Sequence, residues 1–287
     1  MQKHLAIFSD LIKYKLSLAV VLSSVAGYYL YSNSFDHHLF FLASGVFFLA
    51  SGAAVLNQYT EREYDSLMAR TKDRPIPSKK IKEQTALWIS SGLLVAGCLL
   101  LLINGIIPFL LGVINVLLYN LLYTYLKKKS ILSIIPGALV GAVPPLIGFS
   151  AAGGNISSIN IIVYSIFMFL WQLPHFWLIL IKYGKEYEKA GFASISSYLT
   201  DLQIRQLTFF WVILTTCFLF SFGLFSDVFS RELIILFSIF NTSFIFAFYR
   251  MLFFKKGHQE IRGAFIMINS FSIIVMFMII ALSILKN

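Results

Sequence analysis

Apolar stretches of roughly 18–22 residues recur along the whole chain, each long enough to cross about 30 Å of hydrocarbon as a helix. The pattern predicts nine spans, at residues 16–33, 39–56, 85–104, 106–126, 131–151, 159–181, 207–226, 232–253 and 264–285. The polar interruptions are unequal. Very short turns near Asn104 and at Lys127 to Lys129 make antiparallel neighbours of the spans they join. Two others, 57–83 and 182–205, are long and charged, and such loops are where function concentrates. No internal repeat and no linker divides the chain, so the expectation is one all-α, polytopic membrane domain over residues 1–287.

Composition agrees with the pattern. Of 287 residues, 58% are hydrophobic and only 13% charged, with a mean hydropathy of +0.80, too little charge to cover a soluble surface. Lys13 and Lys15 lead into an apolar run with no small-residue cleavage site after it, which argues against a cleaved signal. Cys98 and Cys217 lie inside spans and read as small core residues. The net charge of +10 sits between spans, where it sets topology and meets anionic headgroups or substrates, and it does not indicate nucleic acid. With the N-terminus inside, 21 of the 23 Lys and Arg residues fall on the inner side, leaving only Arg231 and Lys286 outside. The bias and the odd number of spans together predict a cytoplasmic N-terminus and an outer C-terminus. Five of the 13 acidic residues lie in the inner loop 57–83 and three more in the inner loop 182–205.

The first long loop carries candidate chemistry. If the second span continues as a helix, Asn57, Glu61 and Asp65 fall along one face, drifting by about 40° per step. Oxygen donors stacked at a membrane mouth can hold Mg²⁺, which prefers carboxylates together with substrate phosphate and retained water. Arg70, Lys72 and Arg74 follow at once and can grip phosphate oxygens, while Pro75 and Pro77 end the helix and stiffen the exit. A solvated loop with ordinary surface ion pairs is the plainer alternative. These residues also resemble the intramembrane (UbiA-type) aromatic prenyltransferases, whose first signature is Asn-Asp-x-x-Asp-x-x-x-Asp. Asn57, Glu61 and Asp65 match its first, third and last named residues, and Gln58 replaces the second. The Asn-Gln-Tyr start and the Met68-x-Arg70-Thr71-x-x-Arg74-Pro75 continuation resemble the protoheme IX farnesyltransferase (heme O synthase) branch.

The second long loop follows Trp171-Gln172-Leu173-Pro174-His175-Phe176 at the end of the sixth span. Pro174 predicts a kink that frees a carbonyl. His175 is the one histidine within a predicted span, and a lone intramembrane imidazole is a functional candidate, with a packed, carbonyl-bonded residue as the alternative. Lys182 and Glu186 stand four apart and can simply pair with each other. The Trp-Gln-x-Pro-His-Phe run, with the Glu186-Tyr187-x-x-Ala190-Gly191 stretch, resembles the second signature of the same branch, as does Tyr123-Thr124-x-Leu126-Lys127 with the Gly- and Pro-rich fifth span. Where other members of the superfamily have Asp-x-x-x-Asp, only Glu186 supplies an acid, and Phe192-Ala193-Ser194-Ile195-Ser196 departs from the usual Pro-Met-Leu-Pro segment.

The resemblance implies transfer of a farnesyl group from farnesyl diphosphate to a vinyl group of heme B, with hydration, giving heme O and diphosphate for heme–copper oxidase assembly. It implies Asn57, Glu61, Asp65 and Glu186 as catalytic metal-holding residues, Arg70, Lys72, Arg74 and Lys182 on the diphosphate, and Trp171, Gln172, His175 and Tyr187 around the heme acceptor. It further implies a multi-pass protein of the cell inner membrane with its site facing the cytoplasm, and contact with heme A synthase or oxidase assembly proteins. A prenyltransferase acting on a quinone precursor is the neighbouring alternative. A transporter is the alternative from another class, disfavoured because most carboxylates lie at one membrane face and no repeat is evident.

Overall fold

The computed structural model describes residues 2–225, 231–254 and 258–285, and every regular element among them is helical. In chain order these are α1 (Gln2–Leu11), α2 (Tyr14–Tyr29), α3 (His37–Thr60), α4 (Arg62–Ser66), α5 (Glu83–Ile103), α6 (Ile106–Leu117), α7 (Thr124–Leu126), α8 (Ile134–Ala151), α9 (Ile159–Lys189), α10 (Asp201–Phe225), α11 (Arg231–Phe253) and α12 (His258–Leu285). Every one of the nine predicted spans coincides with helix, and eight helical segments are long and apolar enough to cross a membrane. The chain is a multi-pass membrane protein. The first predicted span is the short one: α2 has 16 residues, about 24 Å at 1.5 Å per residue. Residue 226 at the end of the seventh span, together with Lys255, Lys256 and Lys286, lies outside the described residues.

The helices pack in a closed ring. α3 lies against α5 and α2, α2 against α8, α8 against α9, α9 against α10, and α12 closes the circuit by touching both α9 and α2. Lipid offers no hydrophobic drive between helices, so close backbone approach and interhelical hydrogen bonds hold such a ring. Small residues supply both. A Cβ placed on Gly27 would collide with the Pro145 carbonyl, and one on Gly148 with the Ser24 carbonyl, so α2 and α8 meet backbone to backbone. Between α3 and α5, Ser90 Oγ donates to the Gly52 carbonyl at 2.8 Å.

Two local irregularities position the site. Residues Leu118–Tyr123 form a π-helical stretch between α6 and α7, and such bulges re-aim side chains. Here Asn120 Nδ2 donates to the Ala53 carbonyl at 3.0 Å, and Thr124 accepts from Asn57 Nδ2 at 3.1 Å. Lys13, between α1 and α2, adopts a left-handed conformation (φ 47°, ψ 51°), uncommon for a residue with a Cβ. The predicted kink at Pro174 leaves the helix unbroken: α9 runs through it for 31 residues.

The α2–α8 contact yields a test of packing. Gly148→Leu, which drives a side chain into the Ser24 backbone, should cost about 1–3 kcal/mol or more and lower the melting temperature in detergent. Gly92→Ala, where nothing lies within 4 Å of the new methyl, should leave it unchanged or slightly raised. Equal melting temperatures for the two variants would contradict the packing described.

Candidate active site

Five polar segments that the charge count assigned to one side of the membrane come together at one end of the bundle. Lys13 Nζ donates to Asn57 Oδ1 at 3.1 Å. Lys127 Nζ lies 2.7 Å from Glu61 Oε1 and 2.8 Å from Oε2. Arg70 donates to the Tyr187 hydroxyl at 2.6 Å, and Arg262 lines the same groove as Arg70 and Lys182. Met68, Ala190 and Phe192 form a small apolar cluster where the two long loops pack on each other.

Below this polar end lies a cavity of about 690 Å³. Its mouth is lined by Lys13, Asn57, Glu61, Asp65, Arg70, Arg74 and Lys127, and its apolar body reaches Gln172, His175 and Phe176. The helical register predicted for Asn57, Glu61 and Asp65 survives a break in the helix. α3 stops at Thr60 and Glu61 leaves helical geometry, yet Glu61 N bonds Asn57 O at 2.9 Å and Asp65 N bonds Glu61 O at 2.8 Å. All three side chains are buried, Glu61 and Asp65 to 2% and 1% exposure. Buried carboxylates demand partners. Glu61 takes Lys127, and Asp65 takes Arg74 Nη1 at 2.7 Å.

The electrostatics favour an anion. Four cations face two carboxylates at the mouth. Burial, together with Arg74 and Lys127, pulls the Lys13 ammonium down to about 7. Burial also opposes the charge on Lys127, but Glu61 and the phenols of Tyr123 and Tyr187 outweigh it and hold Lys127 above its ordinary range. Among the described residues no three of His, Cys, Asp and Glu stand close enough to cage a metal. Asn57, Glu61 and Asp65, the two carboxylates paired with Lys127 and Arg74, offer oxygen donors of the kind Mg²⁺ takes together with phosphate oxygens.

The expected residues are not all gathered here. Arg70, Arg74, Gln172, His175 and Tyr187 line the cavity with the Asn57 face. Trp171 does not: its Nε1 donates to the Ile268 carbonyl at 2.9 Å, tying α9 to α12. Lys72 is exposed and, among the described residues, in no ion pair. Lys182 lines a neighbouring groove and not the cavity. Glu186 is not on the cavity wall, does not pair with Lys182, and keeps Oε2 buried without a hydrogen-bond partner. Gln58, at the signature's second position, is fully buried with its amide on the Asp10 and Leu11 carbonyls at 3.1 and 2.8 Å, satisfying the end of α1. His175 Nδ1 lies 3.1 Å from Asn269 Oδ1, so its polar partner is a side chain on α12.

Two cations of the mouth, Lys13 and Lys127, were counted in the sequence only as topology charges. The signal for Lys127 was the Tyr123-Thr124-x-Leu126-Lys127 stretch; Lys13 had none. The atypical Phe192–Ser196 segment packs against Lys127 and Tyr64. Phe192 is buried, its ring 4.8 Å from Tyr64 and 4.6 Å from Lys127 Nζ, and Ala193 N donates to the Lys127 carbonyl at 3.2 Å.

Residues 18–280 match the UbiA prenyltransferase family. The chain belongs to that family. It is 36% identical over 184 residues to a protoheme IX farnesyltransferase of Geobacter sulfurreducens, covering 63% of this chain and 68% of the relative. A second relative of that name, from Christiangramia forsetii, is 36% identical over 211 residues, with 73% and 69% covered. Among solved structures, that of digeranylgeranylglyceryl phosphate synthase superposes with a TM-score of 0.76 at 22% identity over 99% of both chains. A UbiA homologue from Archaeoglobus fulgidus bound to GPP and Mg²⁺ gives 0.73 at 14% identity, covering 96% of this chain and 99% of that one. The UbiA fold thus extends over essentially the whole chain, and the chain is a prenyltransferase.

For this UbiA-family site the ion pairs are themselves testable. Lys127→Met leaves the buried Glu61 charge uncompensated and should cost about 3–5 kcal/mol of stability, read as a lower melting temperature in detergent. Glu61→Gln combined with Lys127→Met removes both charges and should recover most of the loss. A double variant no more stable than Lys127→Met would mean that the pair does not carry this role.

Proposed function

We propose that the chain transfers the farnesyl group of farnesyl diphosphate to a vinyl group of protoheme IX, with addition of water, giving heme O and diphosphate. The observation that carries this reading is the cavity itself. A cationic mouth with buried carboxylates tops an apolar chamber that presents Gln172 and His175, beside a broad aromatic and small-residue wall. The names of the most similar curated relatives support the same acceptor.

In this reading Asn57, Glu61 and Asp65 hold Mg²⁺, as the Mg²⁺-bound archaeal homologue of the same fold encourages. When bound, the ion neutralises charge developing on the leaving diphosphate. Arg70, Arg74, Lys127 and Lys13 take the remaining phosphate oxygens and stabilise the same charge as the allylic C–O bond breaks. The vinyl group's electron pair forms the new bond to the allylic carbon. The cation left beside the macrocycle is captured by water, which then loses a proton. The apolar chamber keeps bulk water from the allylic centre before the acceptor reaches it. Tyr119, Tyr123 and Phe176 line that chamber and offer π faces to developing positive charge.

The charge count further supports a polar end on the cytoplasmic side of the cell inner membrane, with α2 counted as a crossing helix. In this reading the diphosphate stays at the aqueous face and the isoprenoid tail enters the lipid-level chamber. Contact with heme A synthase or oxidase assembly proteins fits a product that is itself lipid-soluble.

Purified protein incubated with heme B, farnesyl diphosphate and Mg²⁺ should yield heme O by mass spectrometry, and chelation of the metal should abolish it. Asp65→Ala should lower turnover by about 10²-fold or more, the scale of losing one charge-stabilising group. Prenylated 4-hydroxybenzoate in place of heme O would transfer the assignment to the quinone-precursor reaction.

A further inference from the structure

The polar end of the bundle has a second opening, of about 500 Å³, between α9 and α12. Arg70, Lys182 and Arg262 converge on it above Tyr183, Phe265 and Ile266, and among the described residues no carboxylate lines it. Among the described residues none of the three cations takes part in an ion pair. Glu186, four residues beyond Lys182, and Glu260, two before Arg262, each keep an Oε2 atom buried without a hydrogen-bond partner. Three uncompensated cations over an apolar floor repel one another and fit an anionic amphiphile. The opening adjoins the main cavity. Arg70 and Ile179 line both, and Phe265 on the groove side packs on the His175 ring at a centroid distance of 4.7 Å.

We propose that this groove is the acceptor's carboxylate site, Lys182 and Arg262 binding the two propionates of protoheme IX. The inference rests on the acceptor assigned above. Protoheme carries its vinyl groups and its propionates on opposite edges of the macrocycle. Anchored in the groove by the propionates, the ring points a vinyl edge past Ile179 and His175 into the main cavity, under the cations that hold the diphosphate. The groove thus sets which edge of the macrocycle reacts. Lys182, assigned by sequence to the donor, belongs in this arrangement to the acceptor.

The full-length protein is titrated with heme B and with its propionate dimethyl ester, following quenching of tryptophan fluorescence, for the wild type, Lys182→Gln, Arg262→Gln and the double variant. The wild type should bind the diacid about tenfold more tightly than the diester, the scale of losing one or two charge-assisted hydrogen bonds. The double variant should lose about that factor for the diacid and little for the diester, with KM for farnesyl diphosphate unmoved. Unchanged diacid binding in the double variant, as a lipid headgroup in the groove would give, overturns the proposal. So does an equal loss for both ligands, or a rise confined to the KM of farnesyl diphosphate. Wild-type protein that binds heme with the expected discrimination but forms no heme O would refute the assigned reaction and leave the groove standing. Failure to bind heme at all would overturn both.

Discussion

Two carboxylates without access to water, Glu61 and Asp65, are the constraint on which the polar end of this molecule depends. An ionised carboxylate at 1–2% exposure is costly unless paired and hydrogen-bonded. Each partner comes from outside its own helix: Lys127 follows the π-helical stretch after α6, and Arg74 follows the turn after α4. The Glu61–Lys127 pair fastens the loop after α3 to the turn before α8, and the Asp65–Arg74 pair braces that loop internally. Phe192 and Ala193 then close over Lys127 from the loop after α9. Three loops distant in sequence thus meet around the buried Glu61–Lys127 pair.

The chamber beneath follows from a different economy. α2 and α8 approach so closely at Gly27 and Gly148 that neither position tolerates a Cβ. Gly137 and Gly141 of α8 line the cavity and lie close against Tyr123 and Gln172, where a Cβ would fill the space these side chains occupy. The small residues thus serve tight packing along one face of α8 and cavity lining along another. Composition alone left these two uses indistinguishable.

The fold was largely legible because lipid forces backbone hydrogen bonds into helices and the apolar runs declare their lengths. The site was legible only where function follows the helical repeat. Asn57, Glu61 and Asp65 lie one turn apart, and local spacing locates them. Lys13 and Lys127 stand 44 and 66 residues from Asn57 and Glu61, and long-range pairing is not encoded in spacing; the bonds Lys13–Asn57 and Lys127–Glu61 reveal it. Trp171 and Lys182 both sit within signature-like runs, but they share a face of α9 that looks toward α12 and away from the cavity, Trp171 onto the α12 backbone and Lys182 into the neighbouring groove. Gln58 shows that a signature position can be given over to structure, here the end of α1.

The placement of the cations explains why such chemistry is done at a membrane surface. A prenyl diphosphate and a porphyrin dicarboxylate share one design, an apolar body with anionic groups at one edge. Burying either anion deep in the bilayer would be prohibitive. With both polar openings at the same end and Arg70 lining each, the proposed arrangement keeps the anionic edges near water while the apolar bodies meet in the chamber below. Net positive charge at each opening offsets the mutual repulsion of the two substrates as they approach. In that arrangement the same partition between water and lipid that orders the helices also brings the reacting carbons together.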